Sequence, residues 1–104
     1  MDDMRAHERV YLPPDAEVYV SSESMEMLAP VRVIGLGGLF FQTLTSNFSI
    51  GSEIVITLHD RPQGTIHRLE TAVRNVNTIG VGIAFLHLSS GAVAEVQALV
   101  SRYS

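Results

Sequence analysis

Val31-Arg32-Val33-Ile34-Gly35-Leu36-Gly37-Gly38-Leu39-Phe40-Phe41 is the stretch on which the fold turns. Apolar arms, one β-branched and one aromatic, flank three glycines within four positions, so the chain must reverse tightly while both arms continue as strands. Glycine tolerates positive φ and lets another group approach bare backbone. The corner therefore reads in two ways: as the glycine turn of a small barrel, or as a lip that admits something flat or anionic. No Gly-Lys-Ser/Thr follows it and the far arm has strand character, which excludes a Walker-type phosphate loop and a dinucleotide fingerprint.

Outward from the corner the chain reads as short strands. Upstream, Ala16 to Val20 alternates as a strand, Ser21-Ser22-Glu23-Ser24 turns, and Met25 begins a run into the corner whose Pro30 marks an edge or a bulge. Downstream, Leu39 to Thr43 forms the return strand, and Ile54, Ile56 and Leu58 alternate in the next. His59-Asp60-Arg61-Pro62-Gln63-Gly64 has the residues of a hairpin tip. Ile66 to Val76 follows, ending near a turn at Asn75-Val76-Asn77, and then Ile79, Val81, Ile83 and Phe85 share a face opposite Gly80, Gly82 and Ala84. Ser89-Ser90 offers an N-cap for a helix over Ala92 to Tyr103, with Val93, Val96, Leu99, Val100 and Tyr103 as its apolar stripe. Six strands and one helix predict a mainly β domain: a six-stranded antiparallel barrel with a C-terminal α-helix. Val10-Tyr11-Leu12-Pro13-Pro14 is an extended lead-in, so residues 1–14 read as a flexible N-terminal segment and residues 15–104 as the barrel.

Composition narrows the function classes. The chain has 104 residues, enough for one core and no second lobe. Without cysteine, a disulfide framework, a thiolate metal site and a thiol nucleophile are all excluded. No apolar run has the length of a bilayer span and the N-terminus has no signal-peptide pattern, which predicts a cytoplasmic protein with no membrane insertion. A net charge of −4 disfavours a nucleic-acid polymer as partner. All seven cations are arginine, each able to form the planar fork that grips phosphate and stacks on flat rings. His7, His59, His67 and His87 are scattered with no metal-ligand spacing, and neither a carboxylate pair nor a nucleophile elbow is present; a non-catalytic domain without metal or cofactor is expected.

Two of the arginines, Arg5 and Arg9, stand four apart ahead of the first strand, a spacing that sends both to one side of a helix or of an extended segment. Arg5-Ala6-His7-Glu8-Arg9 resembles the Arg-x-x-x-Arg motif of the PilZ domain, a bacterial receptor fold for cyclic di-GMP. Ile34-Gly35-Leu36-Gly37-Gly38-Leu39-Phe40 is similar to that family's second motif, Ile50-Gly51-Ser52-Glu53-Ile54 to the loop before its middle strand, and Gly80 to Ser89 to its last strand and the start of its helix. The resemblance covers nearly the whole chain. It implies a signalling domain of receptor or adaptor type, with cyclic di-GMP as ligand, Arg5 and Arg9 on its phosphates and guanines, and Gly38 clearing space.

At two positions the chain departs from that pattern: Val33 stands where the family has Asp or Asn, and Gly35 where it has Ser. Two lost hydrogen bonds cost on the order of 2 to 4 kcal/mol, and each ~1.4 kcal/mol is tenfold in affinity. Two readings of the same fold follow. In one, the arginine segment folds over the nucleotide at the glycine corner. In the other, a degenerate adaptor no longer binds cyclic di-GMP and contacts a protein partner, or a second copy of itself as a homodimer, through the helix or a sheet edge. Val33→Asp combined with Gly35→Ser is expected to restore binding if only those contacts are missing.

Overall fold

In the computed structural model, residues 8–45 and 47–104 are described. Seven strands are followed by one helix: β1 (Arg9–Tyr11), β2 (Val18–Ser22), β3 (Met27–Gly35), β4 (Gly38–Gln42), β5 (Glu53–Asp60), β6 (Thr65–Val76), β7 (Gly80–His87) and α1 (Ser90–Tyr103). All pairings are antiparallel. Six of the strands close on themselves in the order β3-β2-β5-β6-β7-β4 and back to β3, which is the six-stranded barrel with a terminal helix that the sequence predicts. Closure leaves no long unpaired edge among these six.

The barrel closes because β3 is long enough for three neighbours. Its first half, Met27 to Pro30, pairs with β2; its second half pairs with β4 on one side and with β1 on the other. Pro30, which has no N–H to donate, sits just before β3 acquires its second neighbour, and the register shift lies one step further on, between Val31 and Val33. Arg9–Tyr11 falls within the 1–14 segment that the sequence sets ahead of the barrel. It is nevertheless a strand of the sheet: Val10 and Leu12 are buried, and the Leu12 N–H donates to the Arg32 carbonyl at 2.8 Å. Pro13-Pro14 then carries the chain from β1 to β2 along the same side of β3.

Period-two alternation puts Val18 and Val20, Leu39 and Phe41, Ile56 and Leu58, Leu69, Thr71 and Val73, and Val81 and Ile83 inside. Phe41 is fully buried and meets the Phe48 ring edge-on, with centroids 5.8 Å apart. The helix starts where Ser89 caps it, its Oγ accepting from the Ala92 N–H at 3.1 Å. Its buried stripe is Ala92, Val96, Leu99 and Val100, laid against β1, β3 and β6. Val93 and Tyr103, which the sequence places in that stripe, lie at its half-buried margins.

One polar cluster anchors the helix. The inward period of Ile56 and Leu58 continues to Asp60, so this residue, which the sequence assigns to a hairpin tip, ends β5 with its side chain in the interior. Arg102 grips it with both forks, Nη1 to Oδ1 at 3.1 Å and Nη2 to Oδ2 at 2.9 Å. Beside them Glu95 accepts from Thr65 Oγ1 at 3.0 Å and faces His67 Nε2 at 3.7 Å. Its Oε2 is buried with no hydrogen-bond partner among the described residues. Burial, and then the neighbouring Asp60 carboxylate, push the Glu95 pKa up. Burial opposes ionisation of Asp60 too, but the bidentate Arg102 guanidinium outweighs it and holds this carboxyl below its ordinary value.

Candidate functional site

The strands β1, β3, β4, β7 and β6 are successive neighbours, and their outer faces form one continuous surface. In a period-two sheet the residues facing out are those alternating with the core. Register places Arg9 opposite Gly35, Val33 opposite Phe40, Phe40 opposite Gly82, and Gly82 opposite Asn75. Gly35 and Gly82 carry no side chain, so the surface is hollow there. The result is an open cleft of ≈ 620 Å³ lined by Gly37, Gly38 and Gly82, with Arg9, Val33 and Gly35 on the β1–β3 side, Phe40 on β4 between the two sides, and Arg74 and Asn75 on the β6 side. Such a volume is in the range of small-molecule sites.

Neither Gly35, Gly37 nor Gly38 has positive φ; among the described glycines that conformation belongs to Gly51 and Gly64. What the corner requires is close approach. A Cβ on Gly35 would stand 2.7 Å from the Glu8 carbonyl oxygen and 3.0 Å from Arg9 Cγ, so the bare position is what lets β1 lie against β3. A Cβ on Gly38 would collide with the Ile83 carbonyl oxygen, so this glycine is needed by the β4–β7 pairing as well as by the cleft.

Of the residues singled out in the sequence, Arg9, Val33, Gly35 and Gly38 therefore line one cleft. Arg5 lies outside the described residues. Val33 and Gly35, at the positions where polar groups are expected, present a branched apolar side chain and bare backbone to that cleft.

Two lining residues escape the sequence reading. Arg74 and Asn75 are adjacent, and in a regular strand adjacent side chains point to opposite faces. The register between β6 and β7 shifts between Val73 and Asn75: Val73 is opposite Ile83 and Asn75 is opposite Gly82, so β6 holds one residue more than β7. Arg74 is that extra residue, and the bulge turns it to the same face as Asn75. The sequence signal for it is faint, a break in the alternation of β6 at Arg74-Asn75 where a turn was the simpler reading. With Arg74 the described lining holds two guanidinium groups and no carboxylate, although the chain as a whole carries −4. Among the described residues no three side chains cluster as metal ligands, and no helix is long and apolar enough to cross a membrane.

Comparison with known proteins gives this geometry a family. No curated protein matches the chain in sequence. Among solved structures, the PilZ domain with c-di-GMP of YcgR from Escherichia coli superposes with a TM-score of 0.75 at 13% identity, over 96% of this chain and 91% of that one. YcgR of E. coli in complex with c-di-GMP gives 0.76 at 14% identity, over 96% of this chain and 46% of that one. An uncharacterized Legionella protein gives 0.63 at 14%, over 91% of both. At such identities the likeness shows a shared fold. The family profile described as PilZ domain matches residues 3–102, almost the full length, and on that match this chain belongs to the PilZ domain family.

Proposed function

We propose that this domain is a non-catalytic signalling module that binds cyclic di-GMP at the glycine-lined cleft, with Arg9 and Arg5 as the cations on its phosphates and guanines. The observation that carries the reading is the position of Arg9 on the wall of a cleft whose described lining holds arginine and no carboxylate in an acidic chain. A ligand with two phosphates and two flat bases is matched by forked cations, which supply charge-assisted hydrogen bonds and stacking together. Binding would fix the segment ahead of β1 against the cleft and so change the surface offered to a partner protein or a second copy in the cytoplasm.

Titration calorimetry with cyclic di-GMP tests this. The intact chain is expected to bind and Arg9→Ala to bind at least about tenfold more weakly, the worth of one charge-assisted bond or more. Equal, negligible heats for both would remove the receptor reading. Val33 on the cleft wall supports a second reading, an adaptor of the same fold that has lost the nucleotide and contacts a protein instead. Under it the intact chain shows no heat, and a partner-free monomer by size measurement would count against it.

A further inference from the structure

The bulge in β6 interrupts pairing that resumes on both sides of it, with Thr71 opposite Phe85 and Val76 opposite Val81. Its effect is to bring two consecutive polar side chains, Arg74 and Asn75, onto the cleft wall facing Val33 and Gly35. Both are exposed, and neither has a side-chain hydrogen bond or ion pair with a described residue in the structure. Bulges are a recurrent means of re-aiming a side chain beside a binding site. The opposite wall lacks polar side chains at 33 and 35, and the added ones come from across the cleft, where Gly82 keeps the ground in front of Asn75 clear: a Cβ there would stand 3.3 Å from Asn75 Cβ.

Resting on the cyclic di-GMP reading, we propose that Arg74 and Asn75 are the base-reading residues of this cleft, and that Arg74 selects guanine over adenine. The chemistry follows from the shape of the fork. Guanine presents two acceptors, O6 and N7, side by side, and a guanidinium presents two parallel donors to match them. Adenine replaces O6 with an amino donor, which would face the arginine donor to donor. Asn75 has both a donor and an acceptor and satisfies the neighbouring polar edge of the same nucleotide. Recognition thus moves from the β3 wall to the β6 wall, while Arg9 keeps its place across the cleft.

The test is calorimetric titration of the full chain with cyclic di-GMP and, separately, cyclic di-AMP, on the native sequence and on Arg74→Ala, Arg74→Lys, Asn75→Ala, Arg9→Ala and Arg68→Ala. Arg68 is exposed on the same strand and outside the cleft, so it serves as the control. Arg74→Ala is expected to weaken cyclic di-GMP binding about tenfold to a hundredfold while changing cyclic di-AMP binding far less. Asn75→Ala costs about threefold to tenfold, and Arg68→Ala stays within about twofold. Arg74→Lys keeps the charge and loses the fork, so it retains general affinity but loses the preference for guanine. If Arg9→Ala is impaired while both Arg74→Ala and Asn75→Ala bind like the native chain, this inference fails and the receptor reading stands. A native preference for guanine that survives in Arg74→Lys also overturns it. No binding of either dinucleotide by the native chain overturns both.

Discussion

Gly35→Ser separates what this glycine does in the fold from what its family counterpart does in sequence. By motif alone the change restores a polar group. In the structure, a Cβ at position 35 lies 2.7 Å from the Glu8 carbonyl oxygen and 3.0 Å from Arg9 Cγ, and no rotamer relieves it because Cβ is fixed by the backbone. β1 must move. What holds β1 is modest: burial of Val10 and Leu12 contributes about 1.5 to 3 kcal/mol each, and the bonds to β3, including Leu12 N–H to Arg32 O at 2.8 Å, about 0.5 to 1.5 kcal/mol each. Ordering the four residues from Arg9 to Leu12 costs about 1 to 2 kcal/mol apiece, which nearly cancels those gains. Overpacking of about 1 to 3 kcal/mol is therefore enough to lift the strand and carry Arg9 off the cleft wall. Gly35→Ser is expected to lose about that much stability in urea denaturation, to be cut faster by trypsin after Arg9, and to gain no cyclic di-GMP binding. Val33→Asp meets no such obstacle, because its side chain already faces the open cleft, and is expected to strengthen binding about tenfold. A Gly35→Ser protein as stable and as resistant at Arg9 as the native chain would refute the reasoning.

Arg102→Ala leaves Asp60 buried without its bidentate partner and is expected to cost about 3 kcal/mol, the low end for a broken buried pair because Arg102 keeps 28% of its side chain exposed; urea denaturation reads it directly. The carboxyls around it give opposite pH signs. Asp60 is held below its ordinary value of 3.8, so its contribution is full above that value and is lost as pH falls through the lowered folded pKa. Glu95 is pushed above 4.5, so its contribution is full below that value and is lost as pH rises through the raised folded pKa. Glu95→Gln, which still accepts from Thr65 and faces His67 and Asp60 without charge, should raise stability at neutral pH and flatten its decline above pH 4.5, as followed by urea midpoints across that range. Gly38→Ala drives a Cβ into the Ile83 carbonyl and should lower stability by about 2 kcal/mol in thermal melts, so lost ligand binding in that variant reports on the β4–β7 pairing first.

The alternation of Ile56 and Leu58, of Val81 and Ile83, and the Ser89 cap ahead of Ala92, Val96 and Leu99 were enough to determine a barrel with a terminal helix, because period and capping are local properties that neighbours in the chain express without help. The same holds for Arg9 and the glycine corner, whose residue types alone suggest a place where something charged and flat is held. Tertiary structure decided the rest. Whether Gly35 serves a ligand or a neighbouring strand depends on what lies 2.7 Å from its missing Cβ, and that atom belongs to Glu8, far away in the sequence. Arg74 faces the cleft only because β6 holds one residue more than β7 across Val73 to Asn75, and an extra residue exists only in relation to a partner strand. The charge of the interior Asp60 is matched only because Arg102, 42 residues away, reaches it from the helix. In each case the deciding quantity is a distance between segments, which no single segment encodes.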